Sequence, residues 1–183
     1  MDRRHLVLGI AVLAVLAHKR ADPPPLFEGH EVLDAGSLEI EAHGSTTWIV
    51  KAEVELPPES DLGFSSWLDV SVDVPDPDAE AEFSVAARTC GHESILATIT
   101  VPDETDTGEH EGAYWLGVEG LFDGCPAEEP CASAVCLDAS NETDAVLTLE
   151  VQIQAGLEAD TGEYGNDETL EVPISLSFEE KGG

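Results

Sequence analysis

The segment Trp48-Ile49-Val50-Lys51-Ala52-Glu53-Val54-Glu55-Leu56 decides the fold class, because apolar and polar residues alternate along it. Side chains of a β-strand point alternately to its two sides, so this pattern predicts a strand with one buried and one solvated face. Trp48 falls on the buried side and is therefore expected in the core. Pro57 and Pro58 end the strand, since proline cannot donate a hydrogen bond to a sheet.

The same period of two recurs along the chain, and no long segment shows the 3.6-residue period of a helix. Turn-forming residues separate the alternating segments, which is typical of antiparallel domains. The sequence therefore predicts an all-β fold, an antiparallel two-sheet β-sandwich (immunoglobulin-like or jelly-roll-like) of about eight to nine strands. The predicted strands cover residues 37–42, 48–56, 68–74, 81–87, 95–101, 113–122, 132–137, 145–154 and 170–179. Pro173 places the last of them at a sheet edge.

Four cysteines allow three disulfide pairings. Cys125 and Cys131 flank a Pro-Ala-Glu-Glu-Pro loop that brings chain ends together, whereas Cys131 and Cys136 are too far apart along a predicted strand. This favours the pairs Cys125–Cys131 and Cys90–Cys136. Free thiols and a zinc site remain alternatives, although no Cys-x-x-Cys spacing supports zinc.

The beginning of the chain resembles a secretory signal peptide, with Arg3 and Arg4 ahead of a 12-residue apolar run. We expect a signal peptide at residues 1–17, a proline-rich spacer at 18–30 and one β-sandwich domain at 31–183. Lys19 and Arg20 follow the apolar run directly, which opposes translocation. A cytoplasmic acidic domain with free thiols is therefore the alternative to a secreted, periplasmic or cell-surface protein.

The chain is strongly acidic, with 39 Asp and Glu against seven Lys and Arg. Cleavage after Ala17 would remove Asp2, Arg3 and Arg4 and leave a net charge of −33. Such a charge disfavours nucleic acid and anionic membranes. The expected partners are a cation, a basic protein surface or a glycan, with no transmembrane segment in the mature chain.

Acidic loops between the predicted strands are candidate calcium sites, because Ca²⁺ prefers six to eight oxygen ligands. The candidate ligands are Asp103, Asp106, Glu109, Asp160, Glu163 and Asp167. None of these loops matches the EF-hand pattern, and ordinary solvated loops are the alternative to calcium sites.

Trp67 is the best single candidate for a ligand contact, since it lies off the buried face that contains Leu68. Trp115 and Tyr114 are further aromatic residues that could contact a sugar. Asn141-Glu142-Thr143 has the sequence of a glycosylation site.

No catalytic signature occurs in the chain: there is no Gly-x-Ser-x-Gly and no His-Glu-x-x-His. Asp-Thr-Gly occurs at Asp106 and Asp160, as in aspartic proteases, but in acidic turns that fit ordinary hairpin loops better. The sequence therefore predicts an exported, non-catalytic binding or structural module. The alternative is an extracytoplasmic enzyme, either a carboxylate-based hydrolase or a copper oxidase. The copper oxidase would bind its copper ion through His18 as the N-terminal residue. In this feature it would resemble the copper-dependent polysaccharide monooxygenases.

Overall fold

The computed structural model describes residues 25–58, 63–75, 81–102, 113–159 and 166–181. These residues form ten β-strands. In chain order they are β1 (Pro25–Ile40), β2 (Ser45–Glu55), β3 (Phe64–Asp73), β4 (Phe83–Thr89), β5 (Ile95–Val101), β6 (Ala113–Glu119), β7 (Pro130–Asn141), β8 (Leu147–Ala159), β9 (Asn166–Glu171) and β10 (Ile174–Glu180).

The strands form two five-stranded sheets. The first sheet has the order β6-β3-β8-β1-β9, and the second has the order β10-β2-β7-β4-β5. Neighbouring strands are antiparallel except for β1 and β9, which are parallel. The predicted antiparallel β-sandwich is therefore confirmed, with ten strands instead of eight to nine.

The core lies between the inner faces of the two sheets. Along β2 the exposed fractions of Trp48, Val50, Ala52 and Val54 are 1%, 1%, 1% and 4%, in agreement with the alternation in the sequence. The first sheet contributes Leu68, Val70 and Val72 of β3. It also contributes a row of five buried residues of β8, namely Leu149, Val151, Ile153, Ala155 and Leu157. Full burial of a Val or Leu side chain contributes about 1.5–3 kcal/mol.

Two predicted boundaries differ from the structure. Strand β1 begins at Pro25, so residues 25–30, which were expected in the spacer, pair with β8 and β9 in the first sheet. The predicted last strand is divided at Val172 and Pro173 into β9 and β10, which belong to different sheets. Proline lacks the N–H that a continuous ladder requires, and both resulting strands lie at sheet edges.

The structure contains two disulfide bonds, Cys90–Cys136 and Cys125–Cys131, the two pairs that the spacing favours. Their Cα atoms are 5.0 and 5.8 Å apart. Cys90 follows β4 and Cys136 lies in β7, so this bond joins neighbouring strands of the second sheet. Cys125–Cys131 closes the turn that leads into β7. Disulfides of this kind are typical of oxidising compartments outside the cytoplasm.

Candidate functional site

Trp67 lies on the outer face of the first sheet. Its neighbours in β3, Ser66 and Leu68, are buried at 4% and 0% exposure, so the alternation of the strand turns Trp67 away from the core. Trp67 is opposite Gly156 of β8 on one side and Glu119 of β6 on the other. The sequence-based placement of Trp67 off the Leu68 face is in keeping with this geometry.

Gly156 allows the indole of Trp67 to lie across strand β8. A Cβ atom at position 156 would overlap Cζ2 and Cε2 of the indole, and would stand 2.9 Å from its Cη2. Only a residue without a side chain leaves room for the ring there. Gly156 is itself buried by this contact, whereas outward residues of the same strand, such as Glu158, are exposed. The ring is thus held against the sheet.

Two surface depressions adjoin Trp67, which lines both of them. The first has a volume of about 580 Å³ and lies over strands β8, β1 and β9. The second has a volume of about 560 Å³ and lies over the ends of β3 and β6. Their ionisable side chains are Glu28, His30, Glu158 and Glu171 in the first, and Glu119 and Asp123 in the second. We call Trp67 with these six residues the Trp67 surface.

Three carboxylates of the Trp67 surface stand on adjacent strands. Glu158 of β8 is directly opposite Glu28 of β1, and Glu28 is paired with Glu171 of β9. All three side chains are exposed. Like charges directly opposite each other on neighbouring strands are destabilising by about 0.2–1 kcal/mol. This row is therefore not explained by the stability of the sheet.

The wall of the second depression is held by a turn after β6. Gly120 has a φ of 72°, a left-handed conformation that glycine adopts without strain. The backbone N–H of Phe122 donates to Oγ of buried Ser66 at 3.0 Å, and the N–H of Gly120 donates to the Ser66 carbonyl at 2.7 Å. Asp123 is fixed in the same turn by a bond from its N–H to the carbonyl of Gly120 at 3.1 Å.

Trp115 is a second aromatic side chain on the outer face of the first sheet, and 68% of it is exposed. It lies on β6 opposite Ser71, four residues from the row that contains Trp67. With strands about 4.8 Å apart and a rise of about 3.4 Å per residue, the two tryptophan Cα atoms are about 14 Å apart. The sequence analysis names Trp115 as a possible sugar contact, but the run Tyr114-Trp115-Leu116 is apolar throughout, so its face is seen only from the burial pattern of β6.

The outer face of the second sheet is built differently, since its basic side chains are paired with acidic ones. Lys51 Nζ lies 2.7 Å from Glu179 Oε1, and the Arg88 guanidinium donates to Asp138. Thr47 Oγ1 donates to Oδ1 of the same Asp138 at 2.7 Å. The hydrogen bond from Arg88, aided by that from Thr47, lowers the pKa of Asp138 below the ordinary carboxyl value.

The predicted calcium ligands Asp103, Asp106, Glu109, Asp160 and Glu163 lie outside the described residues. Asp167, the sixth predicted ligand, lies in strand β9. Within the described ranges, no three His, Cys, Asp or Glu side chains are close enough together to hold a metal ion. Calcium in the acidic loops therefore stays a prediction, as does copper at His18, which also lies outside the described residues.

Asn141, the first residue of the glycosylation sequence, is buried at 1% exposure. Its Nδ2 lies 3.1 Å from the carbonyl oxygens of Ile40 and Glu41 and 2.8 Å from that of Ala145. Its Oδ1 accepts hydrogen bonds from the backbone and side chain of Thr143. In the folded protein this side chain joins the β1–β2 and β7–β8 turns, which explains the Asn-x-Thr spacing structurally.

No protein-family description matches the chain, and no curated protein matches it. A comparison with solved structures finds the VP2 subviral particle of infectious bursal disease virus, with 12% sequence identity and a TM-score of 0.18. That alignment covers 86% of this chain and 35% of the other, so this chain spans about a third of the viral chain. At this TM-score the likeness has no bearing on fold or function. In the parts of the chain that the structure describes, no helix is long and apolar enough to cross a membrane.

Proposed function

We propose that this chain is an exported, non-catalytic binding module that holds its ligand on the outer face of the first sheet. The observation that carries the proposal is the position of the Trp67 indole. The ring packs on Gly156 of β8 and lines two depressions. The ring packs on Gly156 but is only half-buried, so part of it faces solvent on a sheet face where strand residues are ordinarily polar. Such a ring, together with convergent polar groups, is typical of binding surfaces.

Export is supported by two independent features. Residues 1–17 have the basic and apolar segments of a signal peptide. The two disulfide bonds fit a compartment that does not reduce them. The place of action in this proposal is the periplasm, the cell surface or the medium.

Intact mass of the protein from its native host, measured without reductant, tests export. The proposal predicts a chain that begins at His18 and lacks four hydrogens, two for each disulfide bond. A full-length chain with four free thiols would contradict export and favour the cytoplasmic alternative.

Ligand binding is tested separately with the processed protein. Indole fluorescence and calorimetry are recorded on addition of a basic peptide, a neutral oligosaccharide or CaCl₂, each for the wild type and for Trp67→Ala. The proposal predicts that at least one probe binds and that Trp67→Ala weakens its binding. If every probe that binds does so equally well to Trp67→Ala, the Trp67 surface is not the binding site.

A further inference from the structure

We infer that the ligand of the Trp67 surface is cationic, namely an exposed basic segment of a partner protein whose Lys or Arg side chains contact Trp67 and the surrounding carboxylates. This inference rests on the proposed function and specifies the ligand class of the same surface. Three features of the described residues support it: the distribution of basic residues, the row of carboxylates and the position of the indole.

The basic residues of the chain are distributed unevenly. Four of the seven Lys and Arg precede residue 21, and the remaining three are Lys51, Arg88 and Lys181. Lys51 and Arg88 lie in the second sheet, where they pair with Glu179 and Asp138, and Lys181 follows β10 of that sheet. The five strands of the first sheet, as described, contain no Lys or Arg. Among the described strands of this sheet, the only side chain that can become cationic is that of His30, which lines the same depression as Glu28 and Glu158. The acidic groups on the outer face therefore have no Lys or Arg partner within their own sheet.

The arrangement of these acidic groups fits several separate cationic groups rather than one small ion. Glu158, Glu28 and Glu171 stand in a row across three strands, which spans about 10 Å between the outer two. Among the described residues such carboxylates do not converge into a metal-sized cluster. Ammonium and guanidinium groups on a flexible chain can follow a row of this length and relieve the repulsion within it.

Trp67 adds a contact that favours the same chemistry. A Lys or Arg head group over an indole is attracted by the negative face of the ring, and tryptophan is the strongest aromatic partner for this interaction. The carboxylates of Glu28 and Glu158 lie on the β8–β1 side of the ring, and those of Glu119 and Asp123 lie toward the β6 end. A neutral glycan could also stack on the indole, but it would leave the repulsion among these carboxylates unrelieved. Charge complementarity therefore favours the basic segment.

The test compares an oligolysine peptide, an oligoarginine peptide and neutral cello-oligosaccharides as probes of the processed protein. Affinities are measured by calorimetry at about 0.15 M salt, where the screening length is about 8 Å and long-range attraction is weak. The first variant is Trp67→Ala, and the second is the double variant Glu28→Gln/Glu158→Gln. The matched control is Glu53→Gln/Glu55→Gln, which removes two exposed charges from the outer face of the second sheet.

The inference predicts that both peptides bind and that the oligosaccharides do not. Loss of the cation–π contact in Trp67→Ala should weaken peptide binding by about threefold to thirtyfold. Loss of two charge contacts in Glu28→Gln/Glu158→Gln should weaken it by about tenfold, whereas the control should change it less than twofold.

Two results would overturn the inference in distinguishable ways. If the oligosaccharides bind through Trp67 and the peptides do not, the binding surface stands and the cationic ligand class is wrong. If peptide binding falls equally in the control and in Glu28→Gln/Glu158→Gln and is unchanged in Trp67→Ala, the peptides are attracted only by net charge. That second result would also count against the Trp67 surface as a binding site.

Discussion

The outer faces of the two sheets are both exposed to water, but they differ in how their charged side chains are paired. The second sheet has paired charges, a disulfide bond from Cys136 in β7 to Cys90, and cross-strand hydrogen bonds such as Ser84 to Ser140 at 3.0 Å. Among the described residues, the carboxylates on the outer face of the first sheet have no Lys or Arg partner, and two tryptophans point outward beside them. Among the side chains that the structure describes, the outward carboxylates are those of Glu28, Asp34, Glu39, Asp69, Asp73, Glu119, Glu150, Glu158 and Glu171.

The difference indicates a division of labour between the sheets. On the second sheet, the ion pairs of Lys51 and Arg88 and the Cys90–Cys136 bond stabilise the fold. On the first sheet, repulsion between the carboxylates of Glu28 and Glu158 lowers the stability of the fold. The part of the Trp67 ring that faces solvent adds little to that stability. Features that cost stability and persist on one face are typical of functional surfaces. The following predictions separate stability from binding on each face.

Loss of the Cys90–Cys136 bond should give the largest change in stability. The bond closes a loop with a sequence separation of 46, for which the loop-entropy relation gives about 4 kcal/mol. The double variant Cys90→Ala/Cys136→Ala should therefore unfold at a clearly lower denaturant concentration, as measured by fluorescence in a urea titration. At a temperature where the variant is folded, its affinity for the oligolysine peptide should remain within twofold of that of the wild type.

The variant Cys125→Ala/Cys131→Ala is the control for that comparison. Its loop has a sequence separation of only six, which gives about 2 kcal/mol by the same relation. Cys125 lies in the turn that contains Asp123 of the Trp67 surface, so only the Cys90–Cys136 variant tests the second sheet. Loss of binding in that variant, while it is folded, would show that the second sheet is not a purely structural element.

Gly156→Ala should disturb the first sheet through its outer face. The added Cβ would overlap the indole of Trp67, and a misfit of this kind costs about 1–3 kcal/mol. We expect the indole to be displaced into water, a red shift of its emission in a Trp115→Phe background, and loss of ligand affinity.

Gly117→Ala is the matched control on the same face. Its Cβ would stand 3.2 Å from Oδ1 of Asp69, a side chain that can move aside. Stability should change by less than about 0.5 kcal/mol, as is usual for surface sites. Equal changes in stability and binding for the two substitutions would contradict the specific packing of the Trp67 indole on Gly156.

Neutralising a carboxylate should have opposite effects on the two faces. Glu28→Gln removes repulsion with Glu158 and Glu171 and should stabilise the fold by about 0.5 kcal/mol. Glu179→Gln removes the partner of Lys51 and should destabilise it by about 0.5 kcal/mol, since the pair is exposed. Both are measured by urea unfolding at low salt, and added NaCl should shrink both changes. Destabilisation by Glu28→Gln would remove the evidence that the row costs stability.

The smallest predicted effect is a pH dependence of the second sheet. The hydrogen bond from Arg88 holds the pKa of Asp138 below its ordinary value, so the folded state binds this proton less readily than the unfolded state. The stabilisation is therefore present above the ordinary carboxyl pKa and is lost as pH falls through the lowered value. The difference in unfolding free energy between wild type and Asp138→Asn should be greatest near neutral pH and decrease below about pH 4.

Arg88→Met supplies the second arm of that experiment. Without the guanidinium, the largest cause of the lowered pKa is absent. The same comparison of Asp and Asn at position 138 should then depend less on pH. An unchanged pH dependence would assign the effect to another group.

Much of the fold could be predicted from the sequence because period-two alternation is a local property. The alternation in β2, β3 and β8 placed Trp48 in the core and Trp67 outside it. The division at Pro173 was harder to predict, since alternation continues on both sides of the proline while the chain changes sheets. The pairing of residues 25–30 was also missed, because a proline-rich beginning is typical of a spacer and β1 is stabilised by pairing with distant β8.

The candidate site was predicted only in part for a similar reason. Trp67 could be selected from its own strand, but its contact with Gly156 joins residues that are 89 positions apart. The carboxylate row depends on the order of β8, β1 and β9, which alternation within each strand does not determine. Individual acidic residues are common in this chain, so composition directed attention to acidic loops instead of to Glu28, Glu158 and Glu171.

Chemical-shift mapping tests the division of labour between the two faces most directly. Backbone amide spectra of the processed, ¹⁵N-labelled protein are recorded during titration with the oligolysine peptide at about 0.15 M salt. We predict that the shifted amides cluster at β3, β8, β1 and β9 around Trp67, and that β2, β4 and β7 of the second sheet are unaffected. Shifts that spread equally over both outer faces, or that exclude the neighbourhood of Trp67, would contradict the assignment of binding to the first sheet.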